Sequence, residues 1–226
     1  MIAAYRRRRA VSDATIGLEL RTLTAVLNHA VGTRVISRDA VPKIKAPKRP
    51  APLDRWLTPW EAVALLASCP DRRTFLFVAI MLETGARPDA VQSLTWGQIY
   101  PRPHKKIVFN RSGRTQTQKR RPTVPMSEAL CDLLEPIGTK EWTSATKPIL
   151  GHTGSVRAGF AKAVQAAGLP GKVTPKTLRH TWATWAAQRG VSVWLIAGML
   201  GDSVETVERN YMHHSPDHLR GALRGA

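Results

Sequence analysis

Residues 72–87 read RRTFLFVAIMLETGAR and predict the central element of the fold. Positions 72–84 are apolar on almost every side, which predicts a helix buried at the centre of a globular domain. Gly85 predicts the end of that helix, because glycine readily adopts the left-handed conformation that often terminates helices. Other elements must therefore cover this helix on all its faces.

The elements around the central helix are indicated mainly by capping signals. Residues 58–61, TPWE, combine a capping threonine, a proline in the first turn and a glutamate, which predicts a helix start. Further helices are predicted from Pro88, from Ser127, over 155–167, from Thr174 to Gly190, from Ser192 to Gly201 and from Ser203 onward. Residues 106–110 and 123–126 predict two short strands of a hairpin. The predicted fold class is mainly α with a small antiparallel β-sheet insert.

The N-terminal part has a different organisation. Residues 12–31 predict an amphipathic helix whose apolar positions recur at steps of three and four: Ile16, Leu20, Leu23, Leu27 and Val31. Residues 42–52 hold four prolines and four lysines or arginines, which is typical of an extended, semi-rigid linker. We therefore predict a small helical domain at 1–41, a basic linker at 42–52 and the main domain at 53–226.

Positive charge is the strongest global signal. The chain has 34 Lys and Arg against 16 Asp and Glu, a net charge of +18, and residues 102–121 contain eight basic residues and no acid. Such clusters favour an acidic polymer as partner, and nucleic acid above all. The basic residues predicted to contact DNA are Arg111, Arg114, Arg120 and Arg121 around the hairpin, and Lys43, Lys45, Lys48 and Arg49 in the linker.

Several other classes are not favoured. No apolar run is long enough for a membrane helix, and no apolar segment follows the basic residues 1–9, so we predict a cytoplasmic protein without a membrane partner. Cys69 and Cys131 stand alone and are interpreted as reduced thiols rather than a disulfide. The histidines at 213, 214 and 218 lack the further ligands of a metal site, so no metal and no cofactor are predicted.

Three short motifs occur in a specific order. They are TGAR at 84–87 followed by LTW at 94–96, TPKTLRHT at 174–181, and a segment over 200–211 that begins LGDS and ends ERNY. Across residues 53–220 their order and spacing resemble the tyrosine recombinases of the phage-integrase type. The resemblance implies the catalytic-domain fold of DNA breaking-rejoining enzymes. It also implies a helical core-binding domain before the linker, of which residues 1–41 would be a truncated part.

The resemblance assigns roles that fit the chemistry of a phosphodiester. Arg87 and Arg179 would clamp the two non-bridging oxygens, with Lys176 on the same helix face as Arg179 and His180 as a DNA contact. Tyr211 would attack phosphorus and form a 3′-phosphotyrosyl intermediate, so no ATP is needed. The implied partner is double-stranded DNA, bound by a homo-tetramer in the synaptic complex and by a monomer in free solution.

Two positions depart from the family pattern. The hairpin lysine that protonates the leaving 5′-oxygen is assigned to Lys119, although Gln118 or Gln116 could align there, which would leave Lys119 as a backbone contact. Asp202 stands where the family usually has a histidine or tryptophan that donates a hydrogen bond to the phosphate. An ionised aspartate cannot donate, so Asp202 could instead orient Lys176 or Arg179, or bind His180.

These observations lead to two main hypotheses. The first is a site-specific recombinase or integrase that cleaves and rejoins duplex DNA. The alternative is a catalytically impaired, truncated DNA-binding remnant of a prophage or mobile-element integrase, which Asp202, the unsettled hairpin lysine and the short N-terminal part motivate. A generic basic protein that binds nucleic acid would leave the three ordered motifs unexplained.

Overall fold

The computed structural model describes residues 5, 8, 11–47, 54–141, 144–152 and 154–215. The chain divides into two compact units, Met1–Asp54 and Arg55–Ala226. The predicted linker at 42–52 lies partly outside the described residues, so its role, like the assignment of 1–41 to a core-binding domain, stays a prediction. None of the described helices is long and apolar enough to cross a lipid bilayer.

The first unit contains one long helix, α1 (Asp13–Gly32). Its predicted cap is confirmed, since the Ser12 hydroxyl accepts a hydrogen bond from the amide of Thr15. Ile16 and Leu20 are buried, but Leu23 is 47% exposed. The predicted helix is confirmed, and along its apolar face burial decreases from Ile16 and Leu20 to Leu27 and Val31, which are half-buried.

The second unit is mainly helical, while a 3₁₀ helix at Arg38–Ala40 lies in the first unit. Its α-helices are α2 (Pro59–Ala67), α3 (Arg72–Thr84), α4 (Pro88–Gln92), α5 (Glu128–Glu141), α6 (Arg157–Ala166), α7 (Pro175–Gln188), α8 (Val193–Leu200) and α9 (Val204–Tyr211). Capping signals explain several of these starts. Thr58 and Glu61 form a reciprocal capping box, and Ser192 and Ser203 cap the helices that follow them. Gly85 ends α3 with a φ of 62°.

A three-stranded antiparallel sheet is inserted between α4 and α5. It consists of β1 (Ile99–Tyr100), β2 (Lys106–Val108) and β3 (Thr123–Pro125), in that order. Ile99 pairs with Ile107, and Ile107 with Val124, so that three apolar side chains share the buried face. The two predicted strands and the predicted fold class are confirmed. Strand β1 was not predicted, because two residues are too short to show a period-two pattern.

The core is formed around α3 and α7, which pack against each other. Most of α3 is buried, as its uniformly apolar sequence predicts. A second apolar cluster joins α7, α8 and α9 through small and branched side chains, and Tyr211 belongs to it. Cys69 and Cys131 are free thiols, and burial raises the pKa of Cys69 to about 11. This packing brings the C-terminal end of α3, the first half of α7 and the α8–α9 turn together.

The end of α3 offers a test of this packing. A Cβ atom at Gly85 would lie 2.8 Å from Cε3 of Trp182 and 2.9 Å from Cδ2 of Leu200. Gly190 has a similar φ of +73° but no neighbour within 4 Å of a Cβ atom. We expect both alanine substitutions to lose about 1–2 kcal/mol of unfolding free energy through backbone strain. Gly85→Ala should lose a further ~1–3 kcal/mol through crowding.

Urea unfolding of Gly85→Ala, Gly190→Ala and the parent chain measures this difference directly. Equal losses for the two variants would contradict the tight contact of Gly85 with α7 and α8.

Candidate active site

Arg87 lies just after the end of α3. It has extended backbone dihedral angles and immediately precedes Pro88, the first residue of α4. One guanidinium nitrogen, Nη1, donates to the carbonyl of Arg120 and, at 3.4 Å, to that of Leu200. The other, Nη2, donates to a carboxylate oxygen of Asp202 and, at 3.3 Å, to the carbonyl of Gly201. The side chain is thereby tied to both the hairpin loop and the α8–α9 turn.

Arg179 is contributed by the first half of α7 and is only 6% exposed. Its Nη1 donates to the carbonyls of Gly85, at 3.0 Å, and Leu200, at 3.1 Å. Its Nη2 donates to Oδ2 of Asp202 at 2.6 Å. The carbonyl of Leu200 is shared by both arginines, which places the two guanidiniums next to each other.

Asp202 joins the two arginines through its carboxylate. Oδ1 accepts from Arg87 and Oδ2 accepts from Arg179. Gly201 ends α8 in the left-handed conformation, the Asp202 amide donates to the carbonyl of Ala197 at 3.2 Å, and the following residue caps α9. Of the contacts that the sequence suggested for Asp202, the structure contains the one with Arg179 and adds the one with Arg87.

The electrostatics of this group follow from its burial. Loss of water lowers the pKa of Arg87, the positive charge of Arg179 lowers it further, and the Asp202 carboxylate opposes both effects. Two desolvated guanidiniums side by side require an anion. The arrangement can therefore hold an oxyanion between two forked donors, and in this structure the oxyanion is a carboxylate.

Tyr211 is the last residue of α9 and is 4% exposed. Its ring lies 5.5 Å from that of His180, centroid to centroid. Burial raises the pKa of Tyr211 to about 12; the charge of Arg179 opposes the rise, and Asp202 adds to it. The phenol therefore keeps its proton at neutral pH.

The loop between β2 and β3 reaches Arg87 and Gly201. The carbonyl of Arg120 accepts from Arg87, and a Cβ atom at Gly201 would lie 2.9 Å from that same oxygen. Gln116 accepts from the amide of Arg121 at 3.2 Å and donates to its carbonyl at 3.0 Å, which holds the loop in shape. Lys119 is exposed and adjacent in sequence to Arg120.

The remaining predicted site residues are more dispersed. Lys176 is exposed in the first turn of α7, while Arg111 and Gln118 are exposed on the hairpin loop. Arg114 donates to Asn110 at 2.8 Å. Lys43 and Lys45 are exposed in the first unit, and Lys48 and Arg49 lie outside the described residues.

Arg121, another basic residue of the hairpin loop, is held by a hydrogen bond from its guanidinium. Arg121 donates to the hydroxyl of Ser93 at 2.9 Å, and burial lowers the pKa of its guanidinium. This contact ties the hairpin loop to the turn that follows α4.

The sequence did not indicate the backbone carbonyls that hold the arginines. Those of Gly85, Arg120, Leu200 and Gly201 all accept guanidinium donors. A carbonyl is the same chemical group at every residue, so composition and spacing carry no signal for it. The glycines at 85 and 201 were recognised only as helix ends, although a glycine also marks a place where other groups approach the backbone closely.

The fold and the site together define a helical domain that presents two arginines, a carboxylate and a tyrosine around one small volume. Comparisons with known proteins agree with this description. The model of the phage integrase family matches residues 55–218. The integrase of Haemophilus phage HP1 is 28% identical over 218 residues, which cover 94% of this chain and 59% of that protein.

Solved structures give the same result. The catalytic domain of the bacteriophage HP1 integrase aligns with a TM-score of 0.58 and 27% identity, over 75% of this chain and 94% of that one. The Tn1549 transposon integrase, in complex with circular intermediate DNA, aligns with a TM-score of 0.70 and 18% identity, over 98% of this chain and 82% of that one. At that identity the second match shows the fold alone.

The chain belongs to the phage integrase family. The resemblance found in the three sequence motifs is thereby confirmed. The chain spans 59% of the length of the HP1 integrase and 49% of that of the Salmonella phage P22 integrase. What the whole protein does is therefore a matter for proposal.

The buried phenol predicts a specific dependence on pH. The pKa of Tyr211 is about 12 in the folded chain, against an ordinary value of 10.0. Because the folded pKa is raised, the neutral phenol makes its full contribution to the unfolding free energy below about pH 10. That contribution is lost as the pH rises from about 10 to about 12. Over that interval the unfolding free energy should fall more steeply in the parent chain than in Tyr211→Phe.

An ultraviolet titration of phenolate formation tests the pKa itself. The difference between the parent chain and Tyr211→Phe should be a single ionisation near pH 12. The control is Tyr100→Phe, which removes a tyrosine that is 40% exposed and should leave this ionisation in place. A Tyr211 ionisation near pH 10 would contradict the burial of the phenol.

Proposed function

We propose that this chain carries the catalytic part of a site-specific recombinase or integrase that cleaves and rejoins duplex DNA. The observation that carries the proposal is the convergence of Arg87 and Arg179 on one oxyanion, next to the buried Tyr211. The name of the HP1 relative, and the DNA bound to the Tn1549 neighbour, support it.

The two arginines suit the reaction because of the charge on a phosphodiester. Its two non-bridging oxygens share a negative charge that repels a nucleophile. Guanidiniums offer planar, forked donors that neutralise these oxygens and bind more strongly as charge builds up in the transition state. In the structure, Nη2 of Arg87 donates to one carboxylate oxygen of Asp202 and Nη2 of Arg179 donates to the other.

Tyr211 is proposed as the nucleophile. Its phenolic oxygen attacks phosphorus, the bond from phosphorus to the 5′-oxygen breaks, and a 3′-phosphotyrosyl link forms. The phenol gives up its proton and the leaving 5′-oxygen takes one, so the charge balances. Attack by the 5′-hydroxyl of a second strand reverses the step and releases the tyrosine. Because the free chain holds the phenol at a pKa of about 12, DNA binding must also activate it.

Lys119 is proposed as the donor of the proton to the 5′-oxygen. It is exposed and adjacent to Arg120, whose carbonyl accepts from Arg87, so it lies on the segment of the loop that reaches Arg87. The amide of Gln116 is engaged with the backbone of Arg121. A glutamine amide is also not a general acid. Lys176, exposed at the start of α7, is the second candidate.

The proposed partner is double-stranded DNA, which the net charge of +18 and the exposed basic loop favour. Four copies in a synaptic complex would supply one nucleophile for each strand exchanged, and a single copy is proposed for free solution. The alternative is the impaired DNA-binding remnant. It is favoured by one observation, that a carboxylate already engages both arginines.

The nucleophile is tested by covalent trapping. Labelled duplex DNA from the ends of the genetic element that encodes the chain is incubated with protein and separated on a denaturing gel. The parent chain and Tyr100→Phe should form a shifted adduct, and Tyr211→Phe should form none, because phenylalanine has no oxygen to attack with. Binding on a native gel should remain within about twofold, since one uncharged hydroxyl adds little to a largely electrostatic interface.

An adduct that persists in Tyr211→Phe would refute the assignment of the nucleophile. Binding without an adduct in the parent chain would favour the remnant.

The proton donor is tested with a substrate in which sulfur replaces the 5′-bridging oxygen. A thiolate leaves without being protonated, so loss of the general acid no longer matters. Lys119→Ala should slow cleavage of ordinary DNA by a factor of about 10²–10⁴ and regain most of that rate on the sulfur substrate. Arg179→Ala should not recover, because the phosphate oxygens still need their counter-charge. Recovery of Lys176→Ala instead of Lys119→Ala would move the role to Lys176.

A further inference from the structure

The donors of the two arginines fall into two sets. Nη1 of Arg87 and Nη1 of Arg179 both donate to backbone carbonyls, and they share that of Leu200. Nη2 of each arginine donates to Asp202, one to each carboxylate oxygen, and Nη2 of Arg87 also donates to the carbonyl of Gly201 at 3.3 Å. The carbonyls therefore position the guanidiniums, and the carboxylate engages one nitrogen of each arginine.

We propose that Asp202 fills the phosphate-binding site of the DNA-free protein as an internal oxyanion, and that it must turn away before a phosphodiester can bind. This inference rests on the proposed function for the identity of the ligand. A carboxylate and a phosphodiester both present two anionic oxygens to forked guanidinium donors. Asp202 therefore satisfies the same two nitrogens that the substrate would need.

The local structure allows such an exchange. The backbone of Asp202 is held between the end of α8 and the cap of α9, so its Cα position is set by both helices. Its side chain is 18% exposed, which leaves a path to solvent by rotation about the side-chain bonds. When the carboxylate leaves, the carbonyl contacts of Nη1 keep both guanidiniums in place.

Electrostatics make the two occupants mutually exclusive. The arginine pair needs one anion because its charges are close together and poorly solvated. A second anion in the same place would be repelled by the first.

The decisive variant is Asp202→Asn, because asparagine keeps the shape and removes the charge. Its amide nitrogen would face an arginine donor and cannot accept from it. The matched control is Asp132→Asn. Asp132 accepts from Arg102 at 2.6 Å and is 69% exposed. Its substitution also removes one negative charge, with one ion pair instead of the two that Asp202 makes, and it leaves Arg87 and Arg179 untouched. Asp202→Ser is the second variant if the asparagine chain does not fold.

The first measurement uses sulfate in place of DNA. The melting temperature is followed against sulfate at constant ionic strength, because an ion that binds only the folded state raises it. Asp202→Asn should bind sulfate roughly tenfold more tightly than the parent chain and Asp132→Asn do. The reason is that the substitution removes a competing anion whose contact is worth about one charge-assisted hydrogen bond. An affinity equal to that of Asp132→Asn overturns the proposal.

The second measurement is the rate of covalent trapping at saturating DNA. A faster rate in Asp202→Asn than in Asp132→Asn supports the proposal, and loss of an adduct that the parent chain forms overturns it, since Asp202 would then be needed for the chemistry. If no chain forms a Tyr211-dependent adduct but Asp202→Asn still binds sulfate more tightly, the internal oxyanion stands and the proposed recombinase activity fails.

Discussion

The ion network of Arg87, Asp202 and Arg179 holds together several elements of the second unit that are far apart in sequence. Its members come from the end of α3, the α8–α9 turn and the body of α7, and the carbonyl of Arg120 adds the hairpin loop. A buried guanidinium without an anion is costly, so each of these elements must take its place for the others to be stable. The network links the fold to the chemistry, because the same donors that hold the elements together are suited to bind a phosphate.

This arrangement gives the DNA-free chain a closed site. The oxyanion position is filled by a side chain, and the phenol of Tyr211 is 4% exposed with its proton firmly held. Both features oppose the proposed reaction, so in the proposed function the free energy of DNA binding would supply the change. Rotation of one carboxylate is a smaller rearrangement than movement of the core around α3 and α7. Reactivity in the absence of the correct partner is thereby limited.

Much of the fold could be predicted from the sequence because helix boundaries are set by local capping interactions. Thr58 with Glu61, Ser192, Ser203 and Gly85 act on backbone groups within a few residues of themselves, so their effect does not depend on distant packing. The predictions were incomplete where local chemistry is weak, since β1 is too short for a pattern. The apolar spacing of α1 likewise does not reveal that Leu23 remains exposed.

The candidate site likewise follows partly from the sequence and partly from the packing. The sequence alone gives the residue types and their order. It also places Arg87, Arg179 and Tyr211 in three family motifs. It could not determine that Asp202 would accept from both arginines, or that four carbonyls would orient them. Those contacts join residues more than twenty positions apart, and hydrogen bonds depend on distances of a few tenths of an ångström. Only the packing of α3, α7 and the α8–α9 turn sets such distances.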